Sequence, residues 1–234
     1  MIRLDKFLAH AKLGTRREVK KLIRQGFVSI NGEVCRNDDR KIDEEKDEII
    51  YEGMPVQYQE FYYLMLYKPM GYVSSTVDEL NPSVLHLIEE DFALDLFPVG
   101  RLDVDTVGLL LLTNDGKFSH NLLSPKRHVE KEYYVELEKA LDRESIHKLE
   151  TGVLLDEDYT KPAKIEVIEE KIVHIVLTEG KFHQIKRMFH VVGNEVLYLK
   201  RIRMGTLLLD TTLNEGDYRF LCDEEIMQLK GENK

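Results

Sequence analysis

The stretch GRLDVDTVGLLLLTNDG, residues 100 to 116, constrains the fold more than any other part of the 234-residue chain. Its four consecutive leucines, Leu109 to Leu112, are bounded by turn residues on both sides and closed by Asn114-Asp115-Gly116, so they read as a short buried strand. Two carboxylates, Asp103 and Asp105, stand at the entrance of that strand. A calcium loop counted from Asp103 would need an oxygen ligand at its fifth position and a glutamate at its twelfth, where the chain has Val107 and Asn114. A two-carboxylate magnesium pair would lack an obvious third carboxylate. Alternatively the acids are turn residues whose side chains bond nearby backbone amides, a reading that suits Asp105 and Thr106 before Gly108.

On the amino-terminal side, Leu4, Phe7, Leu8 and Ala11 recur at helical spacing and Gly14 ends that helix. Thr15 to Glu18 then has the S/T-x-x-E form of a capping box for a second helix, with Val19, Leu22 and Ile23 as its apolar stripe and Gly26 at its end. Phe27 to Ile30 alternates like a strand, and Asn31-Gly32 is a two-residue hairpin signal. On the second helix Arg16, Lys20 and Arg24 lie four apart, as do Arg17 and Lys21, which places a cationic ridge opposite the apolar stripe.

From Phe61 onward the texture changes. YYLMLYKP, YYVEL, and KIEVIEE with KIVHIVLTEG read as strands, while helices are expected near 117–123, 142–150 and 181–192. Sheet with scattered helices makes an α+β fold, built on a largely antiparallel mixed sheet, the expected class. The expected domains are 1–58, including a linker, and 59–234.

Charge must be read locally. The formal net charge of −10 argues against a polyanionic partner only if the charges are evenly spread. Acid collects at 43–48 and 143–170, and base at 12–24 and 181–203. Cys35 and Cys222 are too few and too far apart for a disulfide framework or a metal knuckle, and no long apolar run marks a signal peptide or membrane span. These features make the cytoplasm the expected compartment; the expected state is a monomer.

The segment RLDKFLAHAKLGTRREVKKLIRQGFVSINGEVC resembles the S4-type RNA-binding domain over about residues 2 to 50. The resemblance implies that Arg16, Arg17, Lys20, Lys21 and Arg24 meet the RNA backbone, where contacts position without reading sequence. GRLDVDTVGLLLLTNDG in turn resembles the signature of the pseudouridine synthases, most closely the RsuA-like branch acting on small-subunit, 16S ribosomal RNA. LYKPMGYVSS, RHVEKEYYVEL and TEGKFHQIKRMFHVVGNEVLYLKRIRMG follow in the family's order, so together with the first module the likeness covers nearly the whole chain.

That resemblance implies isomerisation of a uridine in structured RNA, with no redox cofactor, nucleotide or metal. It assigns Asp103 as the nucleophile, Tyr133 as the residue stacking on the target base, and Lys186, where the family more often has arginine, as the cation paired with Asp103. Arg187 competes for that pairing, and Arg101 is expected to help flip and hold the nucleotide. Lys68, Pro69 and Gly71 match a motif that shapes the pocket wall. Lys181, Lys200, Arg201 and Arg203 are expected to extend the RNA-binding surface. His183 and His190, seven apart, lack ligand spacing. The rival readings are a non-catalytic ribosome-assembly factor, a synthase acting on 23S ribosomal RNA, and a metal-dependent phosphodiesterase built on Asp103 and Asp105.

Overall fold

The structure, a computed structural model, describes residues 1–11, 13–44, 46–56, 60–90, 92–124 and 127–231. The chain forms two compact units, Met1–Phe61 and Tyr62–Lys234. The boundary expected after residue 58 lies outside the described residues.

In the first unit, α1 (Leu4–His10) packs on α2 (Arg16–Gln25). The capping box forms as its sequence requires: the Glu18 amide donates to Thr15 Oγ1 and the Thr15 amide donates to Glu18 Oε2. Gly26 closes α2 in the left-handed conformation at φ 88°. The Asn31-Gly32 hairpin joins Val28–Ile30 to Glu33–Val34 with both turn residues at positive φ, the twist a two-residue loop needs. Ile49–Tyr51 and Met54–Pro55 complete a four-stranded sheet. Leu4, Phe7, Leu8, Val19, Ile23 and Ile30 fill a small core of its own.

The second unit is built on a nine-stranded sheet. Its main path uses β1 (Tyr63–Lys68), β2 (Val107–Thr113), β3 (Lys131–Leu137), β4 (Lys164–Glu169), β5 (Ile172–Leu177), β6 (Val196–Met204) and β7 (Tyr218–Phe220), in the spatial order β4-β5-β3-β6-β2-β1-β7. Every pairing is antiparallel except β2 with β6, which run parallel at Val107 beside Lys200 and Gly108 beside Arg201. The flanking helices are α3 (Gly116–Leu123), α4 (Arg143–Thr151), α5 (Gln184–Val191) and α6 (Asp223–Lys230). This is the mixed α+β architecture expected.

The leucine run has a simple physical cause. All seven residues of β2 are buried: Leu110 and Leu112 join a core with Leu64, Leu66 and Val135, while Leu109 and Leu111 join a second core with Met65, Phe118 and Leu122. Successive strand residues point to opposite faces, so a strand covered on both sides must be apolar at every position. At about 1.5–3 kcal/mol per buried leucine, these four contribute roughly as much as the net stability of a typical domain. The turn before β2 is therefore mounted on one of the most strongly held parts of the unit.

Candidate active site

The turn holding Asp103 is clamped from several directions. The Thr106 amide donates to the Asp103 carbonyl at 3.1 Å, closing the turn, and the Gly71 amide donates to the Val104 carbonyl at 2.8 Å. Just upstream, Ser74 Oγ both donates to and accepts from the Leu102 backbone at 3.0 Å. At the end of β1, the fully buried Lys68 donates from Nζ to the carbonyls of Pro69, Val104 and Thr106 at 3.0, 3.3 and 2.9 Å. Burial pushes its pKa down to about 8, against the opposing pull of Asp105 and Asp103. Lys68 thus secures the backbone on both sides of Asp105, a structural role in keeping with its place in the pocket-wall motif.

The two carboxylates are treated differently from the turn-residue reading. The Asp105 side chain accepts a hydrogen bond from Lys186 Nζ at 2.5 Å, so it is a partner of the cation and not merely a backbone-bonding turn residue. Burial works to raise its pKa, but the Lys186 hydrogen bond and charge outweigh it and hold the group low. Asp103 is the farther partner, with Oδ2 at 3.9 Å from Lys186 Nζ. Its other oxygen stands 3.7 Å from His183 Nε2. Among the described residues the Asp103 side chain accepts no hydrogen bond, although it is only 28% exposed. Lys186 therefore bridges the pair, and a single ammonium serves both acids. The competing Arg187 turns away to Asp156, at 2.7 Å.

His183 reaches this position because it precedes α5 with a left-handed backbone, φ 48°, a conformation that histidine, like Asn and Asp, adopts more readily than most side chains. Helical spacing from His190 could not reveal it, since the residue lies just outside the helix. Its ring stacks on that of Phe182 with centroids 3.8 Å apart.

Asp103 opens into a cavity of 850 Å³. Arg101, Tyr133, Lys131, His183, Lys186 and Arg201 also line it. Strand alternation sends Tyr133 inward, where it is 8% exposed, and Tyr134 to the opposite face, where its hydroxyl donates to Glu136 at 3.0 Å. Arg101 lies at the open side, 71% exposed and 3.6 Å from Glu79. Lys131 donates to the Val129 carbonyl at 3.3 Å, and burial, with the nearby Arg201 charge, lowers its pKa.

Of the surface expected around the cleft, Lys181 and Arg201 line the cavity, but the four cations do not form an open basic face. Arg201 is 1% exposed, with Nε donating to the Leu109 carbonyl at 2.7 Å. Arg203 is committed to Glu132 and Glu130 at 2.6 and 3.1 Å. Lys200 sits over the Tyr67 ring, 4.6 Å from its centroid, and Lys181 stands 4.0 Å from Asp158. Across β3 and β6 the register jumps from Glu132 opposite Arg203 to Tyr133 opposite Arg201, leaving Ile202 as a bulge between the two arginines. Alternation from Leu199 puts Arg201 onto the cavity face beside Tyr133.

The cations of α2 are also more tied down than a ridge opposite the apolar stripe would be. Asp5, fully buried, accepts from Arg16 at 2.9 Å and from Arg3 at 3.0 Å, and lies 3.5 Å from Lys20. Burial would raise its pKa, but the hydrogen bonds of Arg3 and Arg16 bring it down to about 2. Arg24 pairs with Asp38 at 2.7 Å. Arg17 and Lys21 form no ion pair among the described residues. One buried acid thus gathers three cations and fixes their direction, which still leaves that cluster positive.

Comparison with known proteins agrees with both units. Residues 2–49 match the S4 domain, and residues 62–191 match the RNA pseudouridylate synthase family. The chain is 46% identical over 231 residues to the uncharacterized RNA pseudouridine synthase YtzG of Bacillus subtilis, covering 96% of this chain and 97% of that one. It is 44% identical over 229 residues to ribosomal small subunit pseudouridine synthase A of Escherichia coli, covering 96% and 98%. A crystal structure of a pseudouridylate synthase, 41% identical, superposes with a TM-score of 0.70 over 98% of this chain and all of that one. The chain therefore belongs to the RNA pseudouridylate synthase family, as an isomerase carrying an amino-terminal S4 domain.

Proposed function

We propose that this enzyme converts a uridine of small-subunit ribosomal RNA to pseudouridine, with Asp103 as the nucleophile. The observation that carries the reading is the Asp103 carboxylate itself, which lines the cavity with no hydrogen bond among the described residues and with Lys186 and His183 within ion-pair reach. An aspartate is charged at neutral pH and needs no general base to activate it. It does need a nearby cation to stay charged when partly desolvated, the role proposed for Lys186.

A base inside a duplex is out of reach, so the target uridine must lie in a loop or be extruded into the cavity, at a cost of a few kcal/mol. Tyr133 would stack on the uracil and Arg101 would hold the flipped nucleotide from the open side. Arg16, Arg17, Lys20, Lys21 and Arg24 would position the RNA backbone through the S4 unit, and Arg187 would add a peripheral contact. The choice of small-subunit RNA is supported by the likeness to the Escherichia coli small-subunit enzyme across nearly the full length of both chains. The proposed setting is the cytoplasm, where a monomer would meet ribosomal precursors.

The test is pseudouridine mapping of 16S and 23S ribosomal RNA from a deletion strain complemented with the wild-type chain or with Asp103→Asn. One 16S pseudouridine should vanish on deletion and return only with the wild type. Restoration by Asp103→Asn would overturn the nucleophile assignment. Loss of a 23S site instead would move the substrate to the large subunit, and loss of none would favour an assembly factor.

A further inference from the structure

The floor of the cavity carries a charge that the roles above do not use. Arg201 Nη2 is buried and has no hydrogen-bond acceptor among the described residues. A guanidinium stays ionised in proteins and presents five donors, so an unused buried Nη2 leaves a desolvated donor of a full cation unpaired. Such a group costs about 1–3 kcal/mol or more while it is unsatisfied. The fold nevertheless holds it there: strand alternation from Leu199, which also lines the cavity, puts Arg201 on the cavity wall directly across from Tyr133, and its Nε is anchored on the Leu109 carbonyl.

Lys131 stands two residues from Tyr133 on the same strand face and also lines the cavity; its ammonium has only the Val129 carbonyl at 3.3 Å. Neither Arg201 nor Lys131 makes a salt bridge to a carboxylate among the described residues. Glu179 lines the same cavity and acts on Lys131 from a distance, but with no carboxylate of the described residues in direct contact the two cations leave a place for negative charge between them.

We propose that the Arg201 guanidinium holds a ring oxygen of the target uracil and carries the negative charge of the base while it is detached from ribose. The proposal rests on the reading of this cavity as the uridine site. Depth selects the base over the phosphate: Arg101, 71% exposed, stands where the backbone of a flipped nucleotide passes, whereas Arg201, 1% exposed, is accessible only to the end that enters first. The chemistry supplies the charge. As Asp103 bonds to C1′, the C1′–N1 bond breaks and its electron pair moves to N1, spreading over O2 and O4. Ring electrons at C5 then form the C1′–C5 bond and release the Asp103 carboxylate. The C5 proton passes to water, N1 takes up a proton, and no other reagent is consumed. A donor fixed in advance where this charge develops stabilises it without reorganisation.

The experiment compares wild type, Arg201→Gln and Arg201→Lys in single-turnover reactions on RNA carrying uridine or 5-fluorouridine at the target, with loss of the substrate nucleoside as the readout. The fluorinated base is the better leaving group. Arg201→Gln should slow the uridine reaction about 100-fold while RNA affinity stays within twofold, and the deficit should shrink at least tenfold on 5-fluorouridine. Arg201→Lys, which keeps the charge but loses the fork, should fall between. An equal deficit on both substrates, a defect confined to RNA affinity, or unaltered turnover would overturn the proposal. So would failure of both variants to fold, because the residue would then be structural. Failure of the uridine reading itself is distinguishable, since the wild type would then form no pseudouridine.

Discussion

Gly108→Ala puts the junction between β2 and β6 under direct test. A Cβ at position 108 would lie 2.3 Å from the Arg201 carbonyl oxygen and 2.8 Å from its amide nitrogen. Both are backbone atoms of a paired strand, so neither can swing aside as a side-chain tip would. Relief requires β6 to move by nearly 1 Å relative to β2, an overpacking strain of about 1–3 kcal/mol. The glycine also sits at φ 105°, where an alanine is strained by roughly 1–3 kcal/mol more. The sum, about 4 kcal/mol, is a large fraction of a typical domain's stability and corresponds to a Tm lowered by roughly 8–16 °C.

Scanning calorimetry of the full chain, following the transition of the catalytic unit, measures the loss. Turnover should fall at least tenfold at temperatures where the variant is folded, because the displaced backbone carries Arg201 and adjoins the turn of Asp103. A Tm within 2 °C of the parent, or unchanged turnover, would refute the reasoning and mean that the two strands can part without consequence.

Lys68→Met should leave the carbonyls of Pro69, Val104 and Thr106 without their common donor, lowering stability by about 2–4 kcal/mol in urea unfolding and slowing turnover with little change in RNA affinity. Asp105→Asn should lower turnover far less than Asp103→Asn, since it removes the nearer partner of Lys186 but leaves the proposed nucleophile; equal losses in single-turnover assays would reverse the two roles. The first unit should lose stability as acid is added, because the Asp5 pKa is lowered from 3.8 to about 2: the contribution is complete above pH 4 and disappears as pH falls toward 2. Its size is at most about 2 kcal/mol and closer to 1 after screening through the partly exposed Arg16 and Lys20, and Asp5→Asn should flatten that part of the pH–stability curve. Arg17→Ala with Lys21→Ala should reduce the slope of log affinity against log salt by about 1–2, with RNA binding measured from 50 to 200 mM salt.

Local signals read out well where the physics was local. The Thr15–Glu18 box, the Asn31-Gly32 hairpin and the strand of leucines all depend on neighbouring residues and appear where the sequence put them. The helix Asp223–Lys230 carries no start signal by residue type, because Cys222 is a poor capping residue, although Glu225 accepts the Cys222 amide as in an ordinary capping box. Pairing of Asp105 with Lys186 spans 81 residues, and nothing in either neighbourhood announces it. The burial of Arg201 was hidden for a different reason. LKRIRM reads as a basic surface strand until its pairing is known, with Leu199 opposite Val135 and Arg201 opposite Tyr133, and that register is a property of two strands together. Lys68 did leave a trace: a lone cation ending the run YLMLYK, in a strand otherwise almost wholly buried, had to be satisfied from within.

The parallel contact between β2 and β6 also bears on when the enzyme can first work. The strand after Asp103 begins at residue 107, and its parallel neighbour at residue 196, so the loop between them must close across some ninety residues before the junction forms. Closure over that length is entropically unfavourable until the intervening hairpins have condensed, which makes this pairing a late event. A ribosome-bound chain that has emerged only as far as β5 already has Asp103 and Tyr133, yet it lacks Lys186, Arg201 and the strand that supports them. The Asp103 carboxylate thus gains its full surroundings only when the sheet is closed.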